Sequence, residues 1–300
     1  MFFLTFFKNM RVYKARKGGI MRILILEKNE AFAHSLEKAL NEIMPNVSIA
    51  PDGFDYDHMH MWLNYIEQLK PDCVIYRGGI RSVNRGQKNK ELCELYNTKY
   101  ALDIKAACDN IGSEFMFISS NQVFNGKKNG TYKENDTLNP INNYGRSMSM
   151  TENKLKIMDK TYIVRPGWMF GYPTDDINKY INKANETGKI RANCNTVSNP
   201  TYLKDLAYHL LYLIINKNYG IHHVYNSGTA SKAELAKYVT KALNIKAVVD
   251  EVDSAETVEY QYSPENLSMG TIDEEFTRPW QTAMDEYIFK LTWDNKFRDK

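Results

Sequence analysis

The sequence predicts an α/β protein, a doubly wound, Rossmann-like parallel sheet carrying a smaller C-terminal lobe. Two observations predict the sheet and a third the lobe. From Met21 onward, short apolar β-rich runs alternate with helical patterns. The runs are apolar at successive positions rather than alternate ones, as strands covered on both faces require. Beyond Gly171 the alternation loosens and Asn, Gly and Pro clusters interrupt it.

In order, Arg22–Leu26 reads as the first strand. Ala31–Ile43 places Phe32, Leu36, Leu40 and Ile43 at helical spacing, with Pro45 as a stop. Val47–Ala50 is a second strand, His58–Leu69 a helix closed by Pro71, and Cys73–Tyr76 a third strand. A long helix over Lys90–Asn110 follows, then a strand at Glu114–Ser119, a helix at Tyr144–Met158 and a strand at Tyr162–Arg165. The remaining helices are expected at Asp176–Thr187, Leu203–Asn216, Lys232–Leu243 and Thr282–Leu291. Residues 21–171 are thus a dinucleotide-binding-type domain. Residues 172–300 are mainly the substrate-type lobe, with some segments returning to the main sheet. Ligands bind such sheets at the carboxyl ends of strands, so chemistry is expected just after Leu26, Tyr76, Ser119 and Arg165.

Residues 1–20 carry five cations and no acid, which turns the overall charge of +3 into −2 over residues 21–300. A nearly neutral body is not expected to bind nucleic acid. No apolar run approaches the ~20 residues of a membrane span. The leading MFFLTFF has its apolar block before its charges, the reverse of a secretory signal. Met21 opens a clean strand, so the first twenty residues are read as an extension outside the fold or as a mis-assigned start. The four cysteines form no CxxC pair, which suggests reduced core thiols and a cytoplasmic protein. His58 and His60, and the adjacent His222 and His223, do not share a helix face. No metal site is expected, and these histidines read as surface residues.

Three blocks carry a family resemblance: Phe-Ile-Ser-Ser-Asn-Gln-Val-Phe-Asn-Gly at 117–126, Asn-Pro-Ile-Asn-Asn-Tyr-Gly-Arg-Ser at 139–147, and Arg-Pro-Gly-Trp-Met-Phe-Gly at 165–171. In that order and spacing they resemble the extended short-chain dehydrogenase/reductase superfamily, most closely the dTDP-4-dehydrorhamnose reductases. Pro71–Ile75, Asn97, Asn199–Tyr202, Asp205–Ala207, Ser263–Ser268 and Arg278–Trp280 extend the resemblance. It implies reduction of a 4-keto nucleotide sugar by NADPH or NADH. A Ser and a Tyr hydroxyl then hold the carbonyl, and a Lys one helical turn past the Tyr tunes it. Ser120 and Tyr144 fall on the hydroxyl positions. Arg77 and Asn97 fall beside the cofactor, and Asn142, Trp168, Thr201 and Tyr202 beside the sugar.

Two departures break the pattern. The turn after the first strand has Glu27, Glu30 and Ala33 where three glycines should let the backbone approach a pyrophosphate. A carboxylate ~5 Å from a phosphate charge costs roughly 3 kcal/mol at an effective dielectric near 20. As structure alone, the two glutamates read as solvated acids complementing a helix N-terminus. The second departure is Met148 at the lysine position, which removes the cation that would lower the tyrosine pKa from about 10. Arg77 or Arg81 could supply that charge from another wall. The sequence therefore predicts a nucleotide-sugar-binding, reductase-like protein with impaired or lost catalysis, acting by binding or regulation, alone or with a protein partner. The regulatory β subunit of methionine adenosyltransferase, which resembles the same family, is a precedent in kind. An active NAD(P)-dependent nucleotide-sugar reductase of polysaccharide biosynthesis is the alternative. A structural subunit of a surface-polysaccharide assembly is a third, and it predicts no ligand pocket.

Overall fold

The computed structural model describes residues 21–44, 47–49, 56–256, 262–271 and 277–298. The extension at 1–20, the Pro45 stop and the end of the second strand at Ala50 lie outside the described residues.

The strands are β1 (Ile23–Leu26), β2 (Val47–Ile49), β3 (Cys73–Tyr76), β4 (Glu114–Ile118), β5 (Thr161–Pro166) and β6 (Gly220–Val224). They form one parallel sheet in the order β6-β5-β4-β3-β1-β2. Successive side chains alternate faces, and both faces are covered. Ile23 and Ile25 of β1 join one core, while Leu24 and Leu26 join the other. The first core is closed by α1 (Glu30–Asn41), through Phe32, Leu36 and Leu40. The second is closed by α2 (Met59–Leu69), through Met59, Trp62 and Ile66.

The next helices build the wall above β3 and β4. They are α3 (Val83–Lys88), α4 (Lys90–Cys93), a π-turn over Glu94–Lys99, α5 (Tyr100–Ile111) and α6 (Asn143–Leu155). Asn29 N-caps α1, its Oδ1 accepting from Phe32 N at 3.1 Å, and Asn142 caps α6 in the same way through Gly145 N at 2.7 Å. A Cβ at Gly145 would lie 2.1 Å from Gln122 O, so only glycine lets α6 start this close to the loop after β4. The C-terminal layer is α7 (Asp176–Thr187), α8 (Leu203–Asn216), α9 (Lys232–Ala242) and α10 (Trp280–Arg298), with short strands in small two- and three-stranded sheets among them. Of these, α8 packs back onto the main sheet through Leu206, Leu210 and Ile214, beside α1 on the same face. No helix among the described residues is long and apolar enough to cross a membrane.

Among the α-helices and the strands of the main sheet, two elements were not anticipated, α3 and β6, and the short strands of the C-terminal layer were not anticipated either. The sixth strand reads Gly-Ile-His-His-Val, and its paired histidines conceal a strand period. Its burial also overturns the surface reading of His223, which is 6% exposed and lies against Arg165, with Nδ1 2.8 Å from Gly270 O. Burial, then the Arg165 charge, lowers its pKa from 6.5 to about 4. Between those values the unfolded chain takes up a proton that the folded chain refuses. Stability is therefore expected to fall as pH drops from 6.5 toward 4, by on the order of 3 kcal/mol. Urea unfolding at pH 7 and pH 4.5 checks this. In His223→Gln that share of the pH dependence should vanish.

Candidate functional site

The sheet order reverses between β1 and β3, and a doubly wound fold opens its ligand crevice at such a switch point. A cleft of about 260 Å³ lies next to it, on the β3 side, bounded by the carboxyl ends of β3, β4 and β5 and by the C-terminal layer. Its walls include Arg77 and Arg81, Ser119 to Gln122, Tyr144, Pro166 to Met169, Tyr172, Asp176 and Lys232.

The turn after β1 is closed by its own side chain. Glu27 is 5% exposed, and its carboxylate accepts from Asn29 N at 2.7 Å. It also pairs with Arg77 at 3.4 Å and, more tightly, with Arg81. Arg77 lies over the Phe32 ring at 3.8 Å from the centroid, and Phe32 meets Tyr172 edge-on at 5.4 Å. The expectation of a solvated Glu27 is thereby corrected. Two arginines on the loop after β3 drew a carboxylate inward, and burial without them would have been prohibitive. Glu30 is exposed in the first turn of α1, where an acid suits the helix dipole, and Ala33 is buried.

The loop after β3 is held from beneath. Gly78 has φ +71°, and a Cβ there would lie 2.8 Å from Asn97 Oδ1 and 3.5 Å from Met148 Cε. Asn97 Oδ1 accepts from Gly79 N and Ile80 N, while Nδ2 donates to Ile80 O and Ser147 Oγ. Those four bonds fill the amide's capacity inside the protein. Asn97 is therefore a clamp on the loop that carries the arginines, and the π-turn directs it there. Met148 is fully buried under the same loop, so the position of the family lysine is apolar packing.

Ser120 and Tyr144 meet in the cleft. Burial raises the Tyr144 pKa, while a hydrogen bond with Ser120 and then the charges of Arg77 and Arg81 oppose the rise. The phenol stays protonated at neutral pH, able to donate a hydrogen bond to a carbonyl oxygen. Ser120 also caps the turn at Asn121–Val123, accepting from Gln122 N at 3.2 Å.

Of the four residues expected beside a sugar, only Trp168 bounds the cleft. The other three lie outside its walls, with their polar groups engaged elsewhere or facing another way. Asn142 caps α6 and donates to Gln122 Oε1 at 2.8 Å and Tyr262 O at 3.0 Å. Thr201 Oγ1 accepts from Gly167 N at 3.0 Å behind the cleft. Tyr202 stacks on Phe170 at 5.2 Å and lines a different cavity. Lys232 was missed. Its Nζ lies 4.2 Å from the Trp168 ring centroid and 2.6 Å from Asp176 Oδ2. The Lys232 charge, first among several causes, lowers the Asp176 pKa. The Ser231/Glu234 capping box was a legible signal for the helix start, but not for what its lysine reaches.

A family model described as the RmlD substrate binding domain matches residues 21–292. The spore coat polysaccharide biosynthesis protein SpsK of Bacillus subtilis is 30% identical over 227 residues, 73% of this chain and 79% of that protein. A dTDP-4-dehydrorhamnose reductase of Escherichia coli is 22% identical over 254 residues, 80% and 85% of the two chains. The solved dTDP-4-dehydrorhamnose reductase of Clostridium acetobutylicum superposes with a TM-score of 0.83 at 25% identity, covering 91% of this chain and all of that one. The Bacillus anthracis enzyme, solved in complex with NADP, gives the same TM-score and coverage at 23% identity.

Proposed function

Because the chain belongs to the RmlD substrate binding domain family, we propose that it binds a nucleotide sugar in the switch-point cleft and that its NAD(P)H-dependent reduction is impaired or lost. One observation carries this reading: the buried Glu27 carboxylate bridged to Arg77 and Arg81. Dinucleotide folds offer a pyrophosphate bare backbone N–H groups at this turn. Here an internal anion has taken the corresponding cationic partners. The residues present do not fit a dinucleotide in its ordinary pose. A phosphate that drew the arginines away would leave Glu27 buried without a counter-charge, which costs several kcal/mol.

The cleft's remaining chemistry suits binding. Ser120, Tyr144 and Gln122 offer hydrogen-bonding groups, Trp168 an aromatic face, and the two arginines a cationic wall. In this reading residues 21–171 supply the body and residues 172–300 mainly the sugar-facing lobe, with β6 returning to the sheet. Binding or regulation, rather than turnover, is the role that remains. A purely structural subunit is the weaker reading, since it predicts no ligand pocket.

One observation favours an active reductase. Arg77 and Arg81 act on Tyr144 in the direction a lysine would, lowering its pKa. Glu27 neutralises much of that field, which is why the binding reading ranks first. Titrating the protein with NADH and NADPH while following nicotinamide fluorescence separates the two. The expected result is no binding up to millimolar cofactor. Micromolar binding would rescue the active alternative and end the proposal.

A further inference from the structure

We propose that the cavity between α1 and the C-terminal layer is a second ligand site, one that takes a small aromatic anion. The cavity measures about 370 Å³ and is larger than the switch-point cleft. That volume falls within the range of small-molecule sites. It lies between the outer face of α1, the turn at 171–173, the start of α8 and the last helix, α10. Tyr172 is a wall shared with the cleft. The proposal stands whether or not the cofactor groove is closed.

Three features define the occupant. The first is Tyr202, which is 2% exposed on this wall and whose hydroxyl makes no hydrogen bond among the described residues. A buried hydroxyl left unmade costs about 1–3 kcal/mol, so an unpartnered one asks for an acceptor. Burial raises its pKa, followed by the charges of Glu286 and Asp205, so the group remains a donor.

The second feature is charge. Lys38, Lys204 and Lys290 surround the cavity against one carboxylate on its wall, Glu42. Lys204 is already paired with Glu286 at 2.7 Å. Lys38 and Lys290 make no ion pair among the described residues, leaving two ammonium groups for an anion. The third is an aromatic and apolar wall: Tyr202 and Tyr287, tilted at 5.8 Å, line the cavity with Leu203 and Leu291, and Phe170 stacks on Tyr202 at 5.2 Å. A ring for the tyrosines, anionic oxygens for the lysines and an acceptor for Tyr202 describe an aryl phosphate or carboxylate.

Calorimetric titration of the full chain with 4-nitrophenyl phosphate, alongside inorganic phosphate, tests this. The expected result is one saturable site for the aryl phosphate and markedly weaker binding of the inorganic ion. Lys38→Glu combined with Lys290→Glu, both at exposed positions, should weaken aryl phosphate binding by about tenfold or more. Tyr202→Phe should weaken it several-fold without lowering Tm, because the lost hydroxyl had no partner in the free protein. Ser120→Ala, in the cleft, should leave the affinity unchanged. The proposal is overturned by no saturable heat up to about 10 mM. Equal affinity for both anions, indifference to the charge reversals, or sensitivity to Ser120→Ala would overturn it as well.

Discussion

Glu27→Gly is expected to bind NADPH at least about a hundredfold more tightly than the unaltered chain, the largest functional change that one substitution should produce. Three effects act together. The carboxylate facing the phosphates disappears, and one repulsive contact at ~5 Å is worth roughly 3 kcal/mol at a dielectric near 20. Glycine also restores backbone access at the first turn of the phosphate loop. Arg77 and Arg81 lose the Glu27 carboxylate, so a pyrophosphate no longer competes with it for their charge. The free variant should be less stable, since two cations with side chains only 11% and 21% exposed lose the buried carboxylate that offsets their charge. That gives a second readout: dinucleotide should raise the Tm of Glu27→Gly by several degrees and leave that of the unaltered protein in place. If neither affinity nor Tm responds, Glu27 is not what closes the groove. Adding Met148→Lys is not expected to help further, because position 148 is fully buried beneath Gly78 and an ammonium there would itself be desolvated.

The largest stability effect is expected from Glu152→Gln, which should lower stability by about 3–5 kcal/mol. Glu152 and Arg165 each have side chains 1% exposed and are joined by a 2.6 Å Nη2–Oε2 contact and two Nε contacts at 3.1 Å. The Ser119 hydroxyl donates to the same carboxylate, tying the end of β4 to α6. An amide at 152 keeps some hydrogen bonding but leaves the Arg165 charge uncompensated beside His223. In a chain of this length the loss corresponds to a Tm drop on the order of 10 °C. The control is the apolar double replacement, Glu152→Leu with Arg165→Met. It should recover much of the loss, because removing both charges also removes their desolvation cost. A Tm drop under about 2 °C in Glu152→Gln would show that the pair is energetically neutral.

Much of the architecture was legible before any coordinate. Cys73–Tyr76, Asp176–Thr187 and Leu203–Asn216 were read with the observed boundaries. Apolar period and capping residues are local signals, and each of these segments carries its own. The long helix was read as uniform, yet it contains the π-turn that aims Asn97 at the loop after β3. The extra residue of a π-turn slips the hydrophobic phase by one position, and a uniform helical pattern fitted across the whole segment averages that slip away. The site residues divided in the same manner. Ser120, Tyr144 and Trp168 lie at strand and helix ends that the topology brings to one cleft. Asn142, two residues before Tyr144, and the more distant Thr201 and Tyr202 use their polar groups within the scaffold or face another cavity.

The sequence by itself determined the alternating βα order, the missing glycines and the methionine at position 148, because each is a property of residue types and their spacing. Only the tertiary structure decided what those substitutions do. Glu27 and Arg81 are 54 residues apart, and Lys232 and Asp176 are 56. Whether a charge at such a position is solvated, or is buried against an opposite charge, depends on which loops the sheet order brings together. Burial multiplies a Coulomb interaction that water would have screened, so this long-range placement turned two glutamates that look alike in sequence into an exposed Glu30 and a Glu27 locked to two arginines.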